Sequence, residues 1–194
     1  FDSTNSLNVT GGTLKLSGQG KSSSAVTVTA GAKLEVANTY GFENATLSGD
    51  IDLTGGTTTF KNAGGSGAKV NAKGGNLTFD TSVASLGLLT LDTGSTLASS
   101  NGGSAETASL DWKGGQVQGK LKATGNANIS GTNAKTIGAT GELTVTSTTN
   151  PISGGAIANQ GKFNKEGAGS TEVTAQFDST NSLNVTGGTL KLSG

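Results

Sequence analysis

The chain lacks cysteine, methionine, histidine and arginine, and has one proline, one tryptophan and one tyrosine. Without cysteine, neither a disulfide framework nor a thiolate metal site can form. Its 13 basic residues, all lysine, are balanced by 13 acids spread along the chain. No basic patch accumulates to neutralise phosphates, so no nucleic-acid partner is expected. No apolar run approaches the ~20 residues of a membrane-spanning helix, so no membrane span is expected in this segment. Helix itself is disfavoured. No window carries apolar residues at i, i+3, i+4 and i+7 over three turns, and the abundant Gly, Ser, Thr and Asn are weak helix formers.

What is present is repetition. Residues 177–194 read FDSTNSLNVTGGTLKLSG, letter for letter the same as residues 1–18. Position 177 restates position 1, which sets the period at 177 − 1 = 176. A match this long implies a periodic parent sequence. The reading is one complete unit over 1–176 and the start of an identical one over 177–194, within a longer polypeptide carrying several copies in series.

A finer period lies inside the unit. Leu7-Asn8-Val9, Val26-Thr27-Val28, Ile51-Asp52-Leu53, Val70-Asn71-Ala72, Leu89-Thr90-Leu91, Leu110-Asp111-Trp112 and Leu143-Thr144-Val145 each place two apolar side chains on one face and a polar one on the other. That is the signature of a half-buried strand. From Leu7 to Leu110 the leading residues step by 19 to 21, apart from a gap of 25 between Val26 and Ile51, and near the end Leu143, Phe163 and Leu183 step by 20. Gly-Gly pairs precede GGTLKL, GGTTTF and GGNLTF, which gives Leu16, Phe60 and Phe79 equivalent positions; Gly114-Gly115 likewise places Val117 at the position of Leu14. Short strands, glycine corners and a step of ~19–21 residues describe a β-solenoid, with about nine coils per 176-residue unit. The duplicate is about one coil long, so residue 177 is expected to re-enter in the register of residue 1. The pattern thins between Gly125 and Gly161, where a loop or protrusion is expected around Pro151.

The stretch GKFNKEGAGSTEVTAQFDSTNSLNVTGGTLKLSG, Gly161 to Gly194, resembles a pattern of large bacterial surface proteins. There, a G-x-F-x-K-x-G-x-G segment leads into a strand ending GGTLxLxG. GGTLKLSG is similar to the autotransporter-associated strand repeat, and the coil length is similar to that of filamentous-haemagglutinin-type exoproteins. The resemblance implies a right-handed parallel β-helix, secreted and held at or beyond the cell surface. It carries no shared catalytic residues.

Several residues bear on chemistry. Asp50 and Asp52 share one side of a strand, as paired carboxylates of a glycosidase would; the stronger reading is a solvated outer face, because a substrate groove would bring His, Arg or clustered aromatics. Trp112 beside Asp111 suggests sugar stacking, but its register with Leu110 points inward to the core. Tyr40 and Phe42 fit either a packed corner or an exposed one. Gly64-Gly65-Ser66-Gly67 resembles the start of a calcium-binding nonapeptide and lacks its Asp, and the scattered acids give calcium no convergent oxygens. Asn8, Asn44, Asn76, Asn128 and Asn184 begin Asn-x-Ser/Thr triplets, which a suitable host could glycosylate. Thr27/Thr29 and Thr144/Thr146 form Thr-x-Thr pairs, but neighbouring coils do not repeat them as an ice-binding face would. No catalytic, metal or cofactor residue is assigned.

The sequence therefore points to a non-enzymatic structural section of a long extracellular fibre or surface stalk. Its expected partners are neighbouring units end to end, with lateral bundling open because little net charge opposes it. An adhesin binding a receptor or glycan through the solenoid face or a loop near Pro151 is the alternative. A polysaccharide-active enzyme on the same fold is the second.

Overall fold

The structure, a computed structural model, describes residues 1–148 and 150–194. Its regular secondary structure is all strand, paired in parallel and wound as a β-solenoid. Each coil has three faces. The first face is a sheet of ten short strands, from Asp2–Ser3 and Gly20–Ser22 to Ile157–Asn159 and Phe177–Ser179. The second face and most of the third belong to one twelve-stranded sheet, and the third face ends in a separate two-stranded sheet of Ser170–Val173 and Thr189–Leu192. In the first two coils the second and third faces are separate strands: Leu7–Val9 and Thr13–Leu16, then Val26–Val28 and Lys33–Val36. From Thr46–Leu53 to Lys120–Ile129, single strands of eight to ten residues run through both faces.

Glycine permits the bend between those two faces. Gly49 has φ +83°, and a Cβ there would lie 1.9 Å from the Val28 carbonyl oxygen of the preceding coil. The corner between the first and second faces uses a different device. Asn44, Asn62, Thr81 and Asn101 all hold positive φ, a conformation asparagine tolerates better than most residues. The Asn62 side-chain amide donates to Asn44 Oδ1 at 2.9 Å, tying successive corners together.

Alternation places one apolar column per inward position. On the first face Phe42, Phe60 and Phe79 stack with ring centroids 5.5 and 5.0 Å apart, and Tyr40 packs edge-on against Phe42 at 5.3 Å. Tyr40 and Phe42 are both buried, with the Tyr40 hydroxyl hydrogen-bonded to Ser22 at 2.8 Å. Trp112 is buried on the third face, and its indole N–H donates to the Gly114 carbonyl at 2.8 Å. Apolar burial along these columns is the main favourable term.

The solenoid and its coil number agree with the sequence, but the assignment of segments to faces needs correction. Leu7 pairs with Val26, yet Val26 pairs with Leu47, and Ile51 pairs with Leu34. The long gap between Val26 and Ile51 is thus one coil plus a move to the next face. From Ile51 onward the column through Val70, Leu89 and Leu110 is as expected, as is Leu143–Phe163–Leu183. Phe60 does pair with Phe79, but Leu16 pairs with Val36 on another face. Val117 pairs with Leu97 on the first face and is not in the column of Leu14. Gly-Gly corners precede more than one face, so the pair alone does not identify which face follows.

Corners and bulges absorb more variation than the expected step allows. Thr107 pairs with Ala123, a shorter step than any the repeated triplets suggest. Between Gly125 and Gly161 the ladder continues through Lys135–Ile137, Glu142–Ser147 and Ile157–Asn159, while the described residues around Pro151 form no strand beyond a single bridge at Ile152, and residue 149 of the expected loop lies outside the described residues. Pro151 is exposed there, immediately before Ile152, which is buried and bridges to Val173. Nor does residue 177 return in the register of residue 1 on every face. Leu192 ends the column of its counterpart Leu16, but Val185, two residues beyond Leu183, ends the column of Leu7.

Candidate functional site: a charge-laddered face

The outward side of the third face carries the densest polar ladder. Lys15, Glu35, Asp52, Asn71, Thr90, Asp111 and Asn128 pair in sequence, one per coil. Each can reach the next because parallel coils repeat at ~4.8 Å. Lys15 and Glu35 form an ion pair at 2.8 Å, and the Thr54 hydroxyl donates to the same Glu35 oxygen at 3.1 Å. Asn128 donates to Asp111 at 3.0 Å, and Lys113 pairs with Asp111 at 3.1 Å.

Asp52 is the centre of this ladder. Its side chain is only 5% exposed, against 39% for Asp50. The expected solvated pair of carboxylates is therefore half right: Asp50 is half-buried with Lys69 at 3.8 Å, and Asp52 is covered. The cover comes from neighbouring coils. Lys33 above and Lys73 below reach one oxygen at 3.0 and 2.8 Å, and the Asn71 amide donates to the other at 2.9 Å. Lysine stems lying across the strand exclude water while their ammonium groups stay partly solvated. Burial pushes the Asp52 carboxyl up, but hydrogen bonds from Lys73, Lys33 and Asn71 outweigh it and hold the carboxyl below its usual range. Lys33 is raised in turn, first by its hydrogen bond to Asp52. An ionised carboxylate with both oxygens engaged suits coil-to-coil cross-linking and offers no proton near neutral pH.

The other residues singled out by the sequence are scattered over the solenoid. Asp111 lies outward in the ladder while Trp112 faces the core, so the two do not share a surface. Gly64, Gly65 and Gly67 belong to the strand Gly64–Ala72, where the register shifts at a bulge. Asn8, Asn44, Asn76 and Asn184 are exposed and Asn128 is half-buried. Thr27 has Asn8 and Ser48 as neighbours, and Thr144 has Lys122 and Asn164.

Two buried lysines are not foreseen by the sequence. Lys165 occupies an inward column between Val145 and Val185. Its ammonium donates to the carbonyls of Thr146 at 3.3 Å, Gly167 at 3.0 Å, Gly187 at 3.4 Å and Glu166. Lys135 donates to Gly131 and Asn133 at 3.1 and 3.0 Å, and burial lowers its pKa. Both turn their ammonium groups onto backbone carbonyls at the corners, and the Gly131 carbonyl also accepts from the Gly155 N–H at 2.8 Å. The available signal is alternation, since Lys165 sits two residues after the inward Phe163.

A shallow cleft of about 230 Å³ lies on the second face, lined by Glu106, Lys120, Lys122, Glu142, Thr144 and Glu166 among others. Lys122 and Glu166 close across it at 2.9 Å from coils two apart. Phe1 is 57% exposed at one end, and Val185 and Leu192 are 48% and 52% exposed at the other. Among the described residues no cluster of three or more acids is placed to hold a metal ion, and no helix is long and apolar enough to cross a membrane. Comparison with protein-family models, with curated proteins and with solved structures finds no match for this chain.

Proposed function

We propose that the chain is a structural section of a long extracellular fibre or surface stalk, built from identical units in series and without catalytic activity. One observation carries this reading. The duplicated segment adopts the same three strands at both ends of the solenoid: Leu7–Val9 and Thr13–Leu16 recur as Ser182–Val185 and Thr189–Leu192, and Asp2–Ser3 recurs within Phe177–Ser179. A unit so built adds to the next without a change of fold, and its length adds linearly. Nine coils at ~4.8 Å give about 43 Å of axis per unit. The ladders supply lateral stiffness, since Lys33, Asp52 and Lys73 lock three coils together. The extracellular location rests on the resemblance of Gly161 to Gly194 to bacterial surface repeats.

The test is length. Chains of one, two and four units in series, imaged by electron microscopy, should form unbranched rods that lengthen by about 43 Å per unit. Globular particles, or rods whose length does not scale with unit number, would sink the proposal. An adhesive role has the second-face cleft in its favour, with its mixed Lys and Glu lining. Binding of the full chain to a glycan array, lost in Lys122→Ala, would support it.

A further inference from the structure

The coil that leads into the duplicated segment holds two buried polar side chains that reach across the boundary. Lys165 and Asn159 are each 1% exposed. Asn159 lies inward between Ile137 and Ser179, and its amide nitrogen donates to Ser179 Oγ and to the Ser182 carbonyl, both at 3.0 Å. Lys165 lies inward between Val145 and Val185. Besides the carbonyls of Thr146, Glu166 and Gly167, its ammonium reaches the Gly187 carbonyl at 3.4 Å. Ser179, Ser182 and Gly187 restate Ser3, Ser6 and Gly11 of the first copy. The two side chains thus bracket one strand of the new unit. Ser182 opens Ser182–Val185, and Gly187 lies in the turn just beyond its end.

Apolar burial alone does not hold that strand in one position. A slip of two residues keeps every side chain on its own side, and in one direction Phe163 would still meet an apolar partner, Val185 in place of Leu183. The polar bonds do not survive the slip. Two residues of strand span about 6.6 Å, which takes the Ser182 and Gly187 carbonyls out of hydrogen-bond reach. Stability by itself does not account for these residues either. Asn159 Oδ1 has no partner among the described residues, and an unpaired buried amide oxygen is destabilising. A desolvated ammonium is costly where a well-packed apolar side chain would fit, and selection of register is the best-attested use of such groups. Lys135 is the contrast. It is equally buried, but its ammonium donates to Gly131 and Asn133 of its own corner and ties no coil to the next.

We propose that Lys165 and Asn159 set the register in which the opening segment of one unit stacks on the closing coil of the unit before it. Asn159 holds the start of Ser182–Val185 and Lys165 holds the turn after it, so the strand fits between them in one position. A choice of register is needed here, because the column of Leu7 ends at Val185 and not at Leu183, its counterpart in sequence. This role rests on the reading of units in series, but the junction itself lies inside this chain. Its register is therefore measurable whether or not rods lengthen with unit number, and a series of units could equally stand with its register fixed by other contacts.

The chain has no cysteine, so engineered disulfides report the register directly. Asn164 and Asn184 pair on the outward side. Cysteines there lie within the ~7 Å Cα limit for a bridge, and a slip of two residues takes them beyond it. Three full-length chains are compared under mild oxidation: Asn164→Cys combined with Asn184→Cys, with Ser182→Cys or with Thr186→Cys. In the parent background only the first pair should close. With Lys165→Met and Asn159→Leu together, the β circular dichroism should persist, closure of the first pair should fall several-fold, and a slipped pair should close instead. Lys135→Met removes an equally buried ammonium and should leave the pattern unchanged. Exclusive closure of the first pair in the folded double variant overturns the proposal, and so does equal scrambling by Lys135→Met. If the double variant does not fold, Lys165→Met and Asn159→Leu decide singly: each should admit a slipped pair, and exclusive closure of the first pair in both overturns the proposal equally.

Discussion

Replacing Asp52 by Asn removes one charge from the centre of the ladder and almost no volume. Three donors converge on this carboxylate: Lys33 at 3.0 Å, Lys73 at 2.8 Å and Asn71 at 2.9 Å. Hydrogen bonds to a charged, desolvated acceptor contribute about 1.5–3 kcal/mol. Here the ammonium partners remain 41% and 45% exposed, so they rehydrate readily and the value moves toward that of a solvated ion pair. Asn71 can turn its amide to meet the new side chain. The expected cost is therefore about 1–2 kcal/mol at neutral pH, read as a lower urea midpoint by far-UV circular dichroism. Asp50→Asn is the control. That side chain is 39% exposed with its lysine at 3.8 Å, so its loss should cost roughly 0.3 kcal/mol.

The pH dependence separates a charge effect from a packing effect. The folded-state pKa of Asp52 lies below its unfolded value. Its contribution is thus complete above the unfolded pKa and is lost as pH falls through the folded one. The difference between the parent and Asp52→Asn should shrink toward zero in acid. A difference that persists unchanged below both pKa values, or an Asp50→Asn variant that costs as much as Asp52→Asn, would refute the reasoning.

The remaining expectations concern the interior. Phe60→Ala removes the middle ring of the Phe42–Phe60–Phe79 stack and should cost about 3–5 kcal/mol in chemical denaturation, whereas Phe1→Ala, at an exposed end, should be nearly silent. Gly49→Ala and Gly31→Ala both force alanine to a φ near +80°, at about 1–2 kcal/mol; only Gly49 also meets a carbonyl oxygen at 1.9 Å, while Gly31 has open space, so Gly49→Ala should unfold the chain at distinctly lower denaturant. Tyr40 is the single tyrosine, so its absorbance titration is unambiguous. Burial raises its pKa above the ordinary phenol value, with the Ser22 hydrogen bond opposing. The stability it lends is complete below the unfolded-state pKa and is lost as pH rises through the folded one; a normal, reversible titration in the folded protein would contradict the buried placement.

The alternating triplets reveal strands, coils and much of the core because side chains in a strand must alternate. Trp112 is legible from its register with Leu110, and Phe60 and Phe79 from their shared corner motif. Faces are not legible. All three present the same alternation, so counting along the chain slides from Val26, whose partner is Leu47, to Ile51 on the adjoining face. Burial of outward residues is also hidden, because it depends on which coil lies above and below. Asp52 is covered by Lys33 and Lys73, and neither is near it in sequence. Lys135 and Lys165 are hidden by residue type: a lysine reads as surface unless corner carbonyls are known to receive its ammonium.

The way the columns close over one unit shows what the coils preserve. From Leu7 the column runs through Val26 and Leu47, past the bulge at Gly65, then through Leu86, Thr107, Ala123, Val145 and Lys165 to Val185. The counterpart of Leu7 in the second copy is Leu183, so this column closes two positions late. The third face runs from Leu16 through Val36, Leu53, Ala72, Leu91, Trp112 and Ile129, then by the Ser153 N–H to Ile129 carbonyl bond to Ile152, Val173 and Leu192. Leu192 is the counterpart of Leu16 itself, so this column closes on the sequence period. Two faces of the same coil therefore close at different counts. The difference is even, as it must be: a slip of one residue would turn every inward side chain outward, while a slip of two preserves each face. Coil length is free to range from the short step between Thr107 and Ala123 to the long one between Ile129 and Ile152, provided that corners and bulges return each strand with the correct parity. The identical segment can then meet two different neighbours, Ile157–Val173 and Gly20–Val36, with the same strands and the same side of each strand facing in.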